Sequence, residues 1–266
     1  MNRERARSAV VRRVLPFMRH LFGGRPVPLT FWLYYRACAH FLFGCNDPIV
    51  PPSWSIESRE KDVGVPCLRG LITDDMLGAW ALDAATIGLL WTILDREKPS
   101  TILECGSGVS TIVLAQYASV ATAQGKPVCV VSMEQSVEIR GKLVARLAAH
   151  GLDRFVTVIC PPNPGGYSNN ADLSECIRTG MGTSRADLVL IDGPMGTGRK
   201  DRLDTLPSFI PFCRHDARWY LDDSFRDGEL SALRAWRKTP SIAIEGIYAV
   251  GKGFAVGRVA DPGSGA

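Results

Sequence analysis

The chain has 266 residues, is 46% hydrophobic and carries a formal net charge of +4, so it can bury one good-sized core as one domain plus an extension. Its eight cysteines show neither C-x-x-C pairs nor zinc-ligand spacing, and no secretory signal is evident. We therefore expect reduced thiols in a cytoplasmic protein and no zinc site. Nothing in the sequence marks a nucleic-acid-binding fold, so no nucleic-acid partner is expected.

The positive charge is concentrated at the N-terminus. The first 25 residues contain seven arginines and a single acid, Glu4. The net positive charge of this segment exceeds the +4 of the whole chain. Three interpretations are open: a solvated basic helix, an arm that contacts a membrane surface or a polyanion, and an organelle-targeting presequence.

An apolar, aromatic stretch follows at Leu29–Phe43. It contains Arg36 and His40 and is shorter than the roughly 20 residues of a membrane-spanning helix. It either lies in a membrane interface or packs on the main domain as a lid or dimer contact, and packing is favoured. Because residues 44–70 are rich in proline and glycine, we divide the chain into an extension and linker at 1–70 and one domain at 71–266.

From residue 73 onward, helical and strand patterns alternate. A helix with Thr73 as its candidate N-cap is predicted from Met76 to about Glu97. Further helices are predicted at 109–123 and up to about 150, and strands at 101–105, 128–133, 155–159, 186–191, 217–221, 241–248 and 254–259. The last two strands flank a glycine-containing turn and predict an antiparallel hairpin. The whole predicts an α/β, doubly wound, mostly parallel sheet with a C-terminal antiparallel hairpin and an N-terminal helical extension.

The stretch Thr101–Thr111, TILECGSGVST, predicts a strand, a glycine turn and a helix N-terminus. Such a loop suits a nucleotide-like cofactor, because glycines allow close backbone approach and φ > 0 while the helix end offers N–H groups. Position 111 is Thr, so the dinucleotide fingerprint G-x-G-x-x-G is incomplete.

The acid-x-Gly-x-Gly pattern resembles the first motif of the class I S-adenosylmethionine-dependent methyltransferases, whose fold has seven strands. The resemblance implies S-adenosyl-L-methionine as cofactor, contacted by Glu104, Gly106, Ser107, Gly108 and Ser110. It also implies that Glu134, after the second strand, accepts hydrogen bonds from the ribose hydroxyls, with Gln135 near the adenine. The alternative for Glu134 is an acid that stabilises a helix N-terminus. Tyr167 either lines the active site or is an ordinary loop aromatic.

Acids also follow the fourth and fifth strands, in IDGP and in YLDDSFRDGE. This pattern resembles the divalent-metal site of catechol-type and macrolide-sugar O-methyltransferases, and it implies Asp192, Asp222 and Asp223 as ligands of Mg²⁺. In the alternative, Asp222 caps a helix, Asp223 pairs with Arg226, and no metal binds. The general base is then Asp192, or Lys200 if its pKa is depressed.

These features predict a methyltransferase that modifies a hydroxyl on a small molecule or sugar. Two other functions stay open: an NAD(P)-dependent oxidoreductase, and a non-catalytic, membrane-associated binding protein on the same fold. Peripheral membrane contact through the N-terminal region and a dimer also stay open.

Overall fold

The computed structural model describes residues 14–43, 63–77, 81–161, 171–194 and 202–261. Several predictions fall outside these ranges, namely those for the first 13 residues, for Tyr167 and for Lys200.

The centre of the fold is a seven-stranded sheet in the order β3-β2-β1-β4-β5-β7-β6. Strands β1 to β5 pair in parallel, whereas β7 pairs antiparallel with both β5 and β6. The predicted fold class is therefore confirmed, including the C-terminal hairpin. The strands are β1 Thr101–Cys105, β2 Cys129–Met133, β3 Thr157–Ile159, β4 Ala186–Ile191, β5 Cys213–Leu221, β6 Ile242–Tyr248 and β7 Phe254–Val259.

Helices cover both faces of this sheet. They are α1 at 14–21, α2 Leu29–Phe43, α3 Ala84–Glu97, α4 Val109–Ala123, α5 Val137–Ala149, α6 Ala171–Met181, α7 Thr205–Phe209 and α8 Asp227–Trp236. Buried side chains form two clusters, one shared by α1, α2, α6, α7 and α8 and the other by α3, α4 and α5. Successive strand residues alternate between them: Val189 and Ile191 belong to the first, and Leu188 and Leu190 to the second. This two-sided burial explains why the parallel strands read as continuous apolar runs.

The N-terminal segment packs against the main body of the protein. Val27 pairs antiparallel with Ile247 of β6, and the ring of Trp32 in α2 lies 4.5 Å from that of Phe225. Arg36 forms an ion pair with Asp227. A Cβ at Gly246 would lie 2.5 Å from the carbonyl oxygen of Val27, so a glycine is required there. The favoured packing of α2 is thus observed, whereas the domain division at residue 70 stays a prediction.

The predicted helix from Met76 to about Glu97 is wrong at its start. Asp74–Met76 forms a short 3₁₀ turn without a side-chain cap from Thr73, and α3 begins only at Ala84. The side chain of Asp83 accepts a hydrogen bond from the backbone N–H of Thr86 at 2.8 Å and so is the actual N-cap. Within the described residues, no helix is both long and apolar enough to cross a bilayer.

Candidate active site

Parallel pairing aligns the carboxyl ends of four strands. Cys105 of β1 pairs with Met133 of β2 and with Ile191 of β4, and Ile191 pairs with Leu221 of β5. The next residue of each strand therefore lies in one row, which we call the strand-tip row: Gly106, Glu134, Asp192 and Asp222. The strand order reverses between β1 and β4, where open α/β sheets bind their ligands.

The two glycines in the loop after β1 have different physical roles. Gly106 has φ +88°, and a Cβ there would lie 2.5 Å from the backbone nitrogen of Gly193 in the loop after β4. Gly108 has an extended φ of 174°, and a Cβ there would meet nothing within 4 Å. The positive φ expected at this glycine loop holds at Gly106 and is wrong at Gly108. Gly106 thus permits contact between the loops, and Gly108 leaves open space at the N-terminus of α4.

Glu104 lies beneath the glycine loop and is fully buried. Its Oε2 accepts hydrogen bonds from Thr111 at 2.6 Å and from Ser132 at 2.5 Å, and Thr111 Oγ1 in turn accepts from the N–H of Gly108 at 2.9 Å. Burial raises the pKa of Glu104 from 4.5 to about 7, although hydrogen bonds from neighbouring hydroxyls oppose the rise. Glu104 therefore fixes the loop from below.

Glu134 joins the loops after β1 and β2. Its Oε2 accepts a hydrogen bond from Ser107 at 2.9 Å, and its Oε1 accepts one from the backbone N–H of Ser136 at 2.8 Å. The structure thus places Glu134 beside the glycine loop, next to Gln135. Ser110 is buried in the first turn of α4, close enough to Glu104 for its hydroxyl to help to lower the pKa of that acid.

Three acids meet at the tips of β4 and β5. Carboxylate oxygens of Asp192, Asp222 and Asp223 all lie within 4.8 Å of one another. Asp223 has φ +57°, an uncommon conformation for a residue other than glycine. Asp222 Oδ2 is buried without a hydrogen-bond partner in the described part of the chain. The acid cluster predicted from the sequence is therefore present.

Cations surround this cluster. Arg202 Nη2 donates to the backbone carbonyl of Asp192 at 2.9 Å and lies 3.9 Å from Oδ1 of the same residue. Nζ of Lys252, from the β6–β7 turn, lies 2.7 Å from Asp223 Oδ1, and Arg226 Nη1 lies 2.7 Å from Asp223 Oδ2. A fourth acid, Glu229, lies 3.3 Å from Arg202 Nη1. The Asp223–Arg226 pair is the one expected in the metal-free alternative.

Burial and mutual repulsion change the protonation of the acids. Burial, followed by the charge of Asp222, raises the pKa of Asp192 well above its usual range. Burial and the charge of Asp223 raise the pKa of Asp222 from 3.8 to about 7. With a pKa of about 7, Asp222 can exchange a proton near neutral pH.

The structure brings together each predicted site residue that it describes, on one edge of the sheet. Sequence reasoning missed three partners: Arg202, Glu229 and Lys252. Arg202 lies two residues after the basic run Arg199–Lys200, Glu229 closes the motif that contains the two aspartates, and Lys252 lies in the glycine turn of the hairpin. No local sequence pattern predicts that these three residues contact the buried acids.

The acids do not fit a divalent ion well. Their number and hard oxygen donors suit Mg²⁺. However, both oxygens of Asp223 already lie 2.7 Å from a protein cation, and Arg202 lies 3.9 Å from both Asp192 and Asp223. A metal ion would have to displace or oppose these charges.

No protein-family model matches the chain, and no curated protein matches its sequence. Solved structures do match its fold. A proposed O-methyltransferase from Klebsiella pneumoniae is 16% identical with a TM-score of 0.51, and the match covers 74% of this chain and 91% of that one. A proposed caffeoyl-CoA O-methyltransferase from Staphylococcus aureus is 13% identical with a TM-score of 0.50, covering 65% and 82%. A cofactor-bound protein from MTB is 20% identical with a TM-score of 0.50, covering 67% and 81%. The chain thus shares its Rossmann-like fold with solved O-methyltransferase structures.

Proposed function

We propose that the protein transfers a methyl group from S-adenosyl-L-methionine to a hydroxyl of a small molecule or sugar. The observation that carries the proposal is the strand-tip row, which aligns the glycine loop, Glu134 and the acid cluster across the reversal of strand order. The fold alone admits many functions, so the site has to support this one.

On the β1–β2 side, the proposed cofactor contacts are Gly106, Ser107, Gly108, Glu134 and Gln135. Glu104 and Ser110 are both buried in this structure, so their proposed role is to support the glycine loop. Open space over Gly108 leaves room for the donor against the N-terminus of α4. The carboxylate of Glu134 is held in place by Ser107 and Ser136 and retains acceptor capacity for the ribose hydroxyls.

On the β4–β5 side, Asp192 is the proposed general base. Its side chain is 15% exposed, against 3% for Asp223, so it is the more accessible of these two acids. Asp192 takes the proton of the acceptor hydroxyl, the C–S bond of the donor breaks, and the new C–O bond forms. S-adenosylhomocysteine leaves uncharged at sulfur, and the proton stays on Asp192. Lys200, outside the described residues, is the alternative base.

Magnesium assistance is the competing form of this proposal, with Asp192, Asp222 and Asp223 as ligands. When bound, such an ion would lower the pKa of a coordinated hydroxyl. The ion pairs of Asp223 favour the metal-free form. Acceptor screening in the presence of a chelator and after re-addition of Mg²⁺ separates the two forms.

The first experiment is thermal stabilisation of the full-length protein by ligands. We expect S-adenosylhomocysteine to raise the melting temperature and NAD to leave it unchanged, because a ligand stabilises a fold only by binding it. Stabilisation by NAD alone would favour the oxidoreductase and remove the methyltransferase proposal.

A second proposal concerns membrane contact by the N-terminal segment. Four large apolar side chains on α1 and α2 are exposed, at 59% for Phe17, 61% for Leu21, 71% for Tyr34 and 88% for Phe41. Arginines flank them in the sequence, and such a combination favours an anionic lipid surface. Co-sedimentation with anionic and with neutral vesicles tests it; equal recovery in both pellets, or in neither, would contradict it.

A further inference from the structure

We infer that three protein cations, Arg202, Arg226 and Lys252, take the place of a divalent metal ion in the acid cluster. The chain places three carboxylates in an arrangement suited to a metal, and its own arginine and lysine side chains lie against them.

Arg202 is the central member of this group. Its side chain is 8% exposed, and its guanidinium contacts the cluster through both terminal nitrogens. Nη2 donates to the carbonyl of Asp192 and lies 3.9 Å from Asp223 Oδ2, while Nη1 lies 3.4 Å from the carbonyl of Asp222. One planar cation thus spans the tips of β4 and β5, as a bridging ion would.

Lys252 and Arg226 both lie against Asp223. Each lies 2.7 Å from a different oxygen of Asp223, so the two together cover both sides of its carboxylate. Lys252 is 8% exposed and Asp223 is 2% exposed, which leaves little water to screen the pair. A metal ion that coordinated Asp223 would therefore face the positive charge of both cations at short distance.

The charges of the cluster are nearly balanced without a metal. Four acids, Asp192, Asp222, Asp223 and Glu229, face three cations, Arg202, Arg226 and Lys252, which leaves one negative charge when all are ionised. A divalent ion would reverse the sign of that charge. If the proposed methyl transfer holds, the arginine and lysine charges stabilise the ionised acceptor in the role usually given to a metal.

The test is a titration of the full-length protein with Mn²⁺, followed by the electron paramagnetic resonance signal of the free ion. We expect the wild-type protein to leave the signal unchanged at submillimolar concentration. Attenuation by wild type that is abolished in Asp223→Asn would overturn the inference, because it would show that the acids hold a metal despite their cations.

The second arm uses Lys252→Met, which keeps the length of the side chain and removes its charge. We expect this variant to gain Mn²⁺ affinity by about tenfold or more, since one oxygen of Asp223 is uncovered. Lys142→Met, on the exposed surface of α5, is the control and should gain none. If Lys252→Met binds no more Mn²⁺ than wild type does, the cations are not what excludes the metal, and the inference is wrong.

Calorimetry with S-adenosylhomocysteine on the same samples separates this inference from the proposed function. A protein that excludes Mn²⁺ but fails to bind S-adenosylhomocysteine would refute the methyltransferase proposal. It would leave the inference about the three cations unaffected. A wild-type protein that binds both ligands would refute the inference that the cations exclude a metal and would support the methyltransferase proposal.

Discussion

The β1–β2 side of the strand-tip row holds its carboxylates with neutral donors, whereas the β4–β5 side holds them with cations. Glu104 and Glu134 accept hydrogen bonds from Ser, Thr and backbone N–H groups. Asp192, Asp223 and Glu229 lie against arginine and lysine instead. On the β1–β2 side, Glu134 therefore has no ion-pair partner among the described residues and remains available to a ligand, while the β4–β5 side is nearly balanced within the protein.

The largest expected effect on stability concerns the contact between Gly106, after β1, and Gly193, after β4. Gly106→Ala places a Cβ against the backbone of Gly193 and strains a φ of +88°, so we expect it to lower the free energy of unfolding by about 3 to 5 kcal/mol. Urea denaturation measures this. Gly108→Ala is the matched control, because its Cβ meets nothing and it should change stability by about 1 kcal/mol or less. Equal losses in both variants would show that the loops do not touch as described.

A pH series distinguishes the hydrogen bonds of Glu104 from the ion pairs of the acids after β4 and β5. Because the pKa of Glu104 is raised from 4.5 to about 7, the unfolded chain loses this proton before the folded chain does. The contribution of Glu104 to stability is full below pH 4.5 and is lost as the pH rises through 7. Relative to wild type, Glu104→Gln should therefore reduce the fall in unfolding free energy across this range by about 3 kcal/mol.

Urea denaturation of both proteins at several pH values measures how much the pH dependence of the unfolding free energy differs between them. The other raised acids, Asp192, Asp222 and Glu229, contribute to the slope of both proteins and cancel in the comparison. An unchanged slope in Glu104→Gln would mean that Glu104 ionises at its ordinary pKa in the folded state.

A smaller effect is expected from the bond that ties the glycine loop to Glu134. Ser107→Ala removes the donor 2.9 Å from Glu134 Oε2 and should cost about 1 kcal/mol of cofactor affinity, or roughly fivefold. Calorimetry with S-adenosylhomocysteine measures it, and the melting temperature of the unliganded variant controls for folding. A larger loss of stability than of affinity would make Ser107 a structural residue alone.

The same contrast explains what the sequence could predict. The apolar runs of β1, β2 and β4 and the glycine turns are local signals, and they placed the sheet and the positions of Glu104, Glu134, Asp192, Asp222 and Asp223. The start of α3 was missed because Thr73 and Asp83 are both residue types that suit an N-cap, and only Asp83 caps the helix. Arg202 and Lys252 were missed because their roles depend on contacts between distant segments, and a basic loop residue reads the same whether exposed or buried.

The most direct test of the central claim is a calorimetric titration of the full-length protein with S-adenosylhomocysteine, repeated on Glu134→Gln. We predict one site per chain in wild type and a loss of about 2 kcal/mol, or roughly 30-fold, in the variant. Glu138→Gln, four residues along the chain and exposed on α5, should bind as wild type does. Absence of binding in folded wild-type protein, or equal affinity of the two variants, would contradict the assignment of the strand-tip row to the methyl donor.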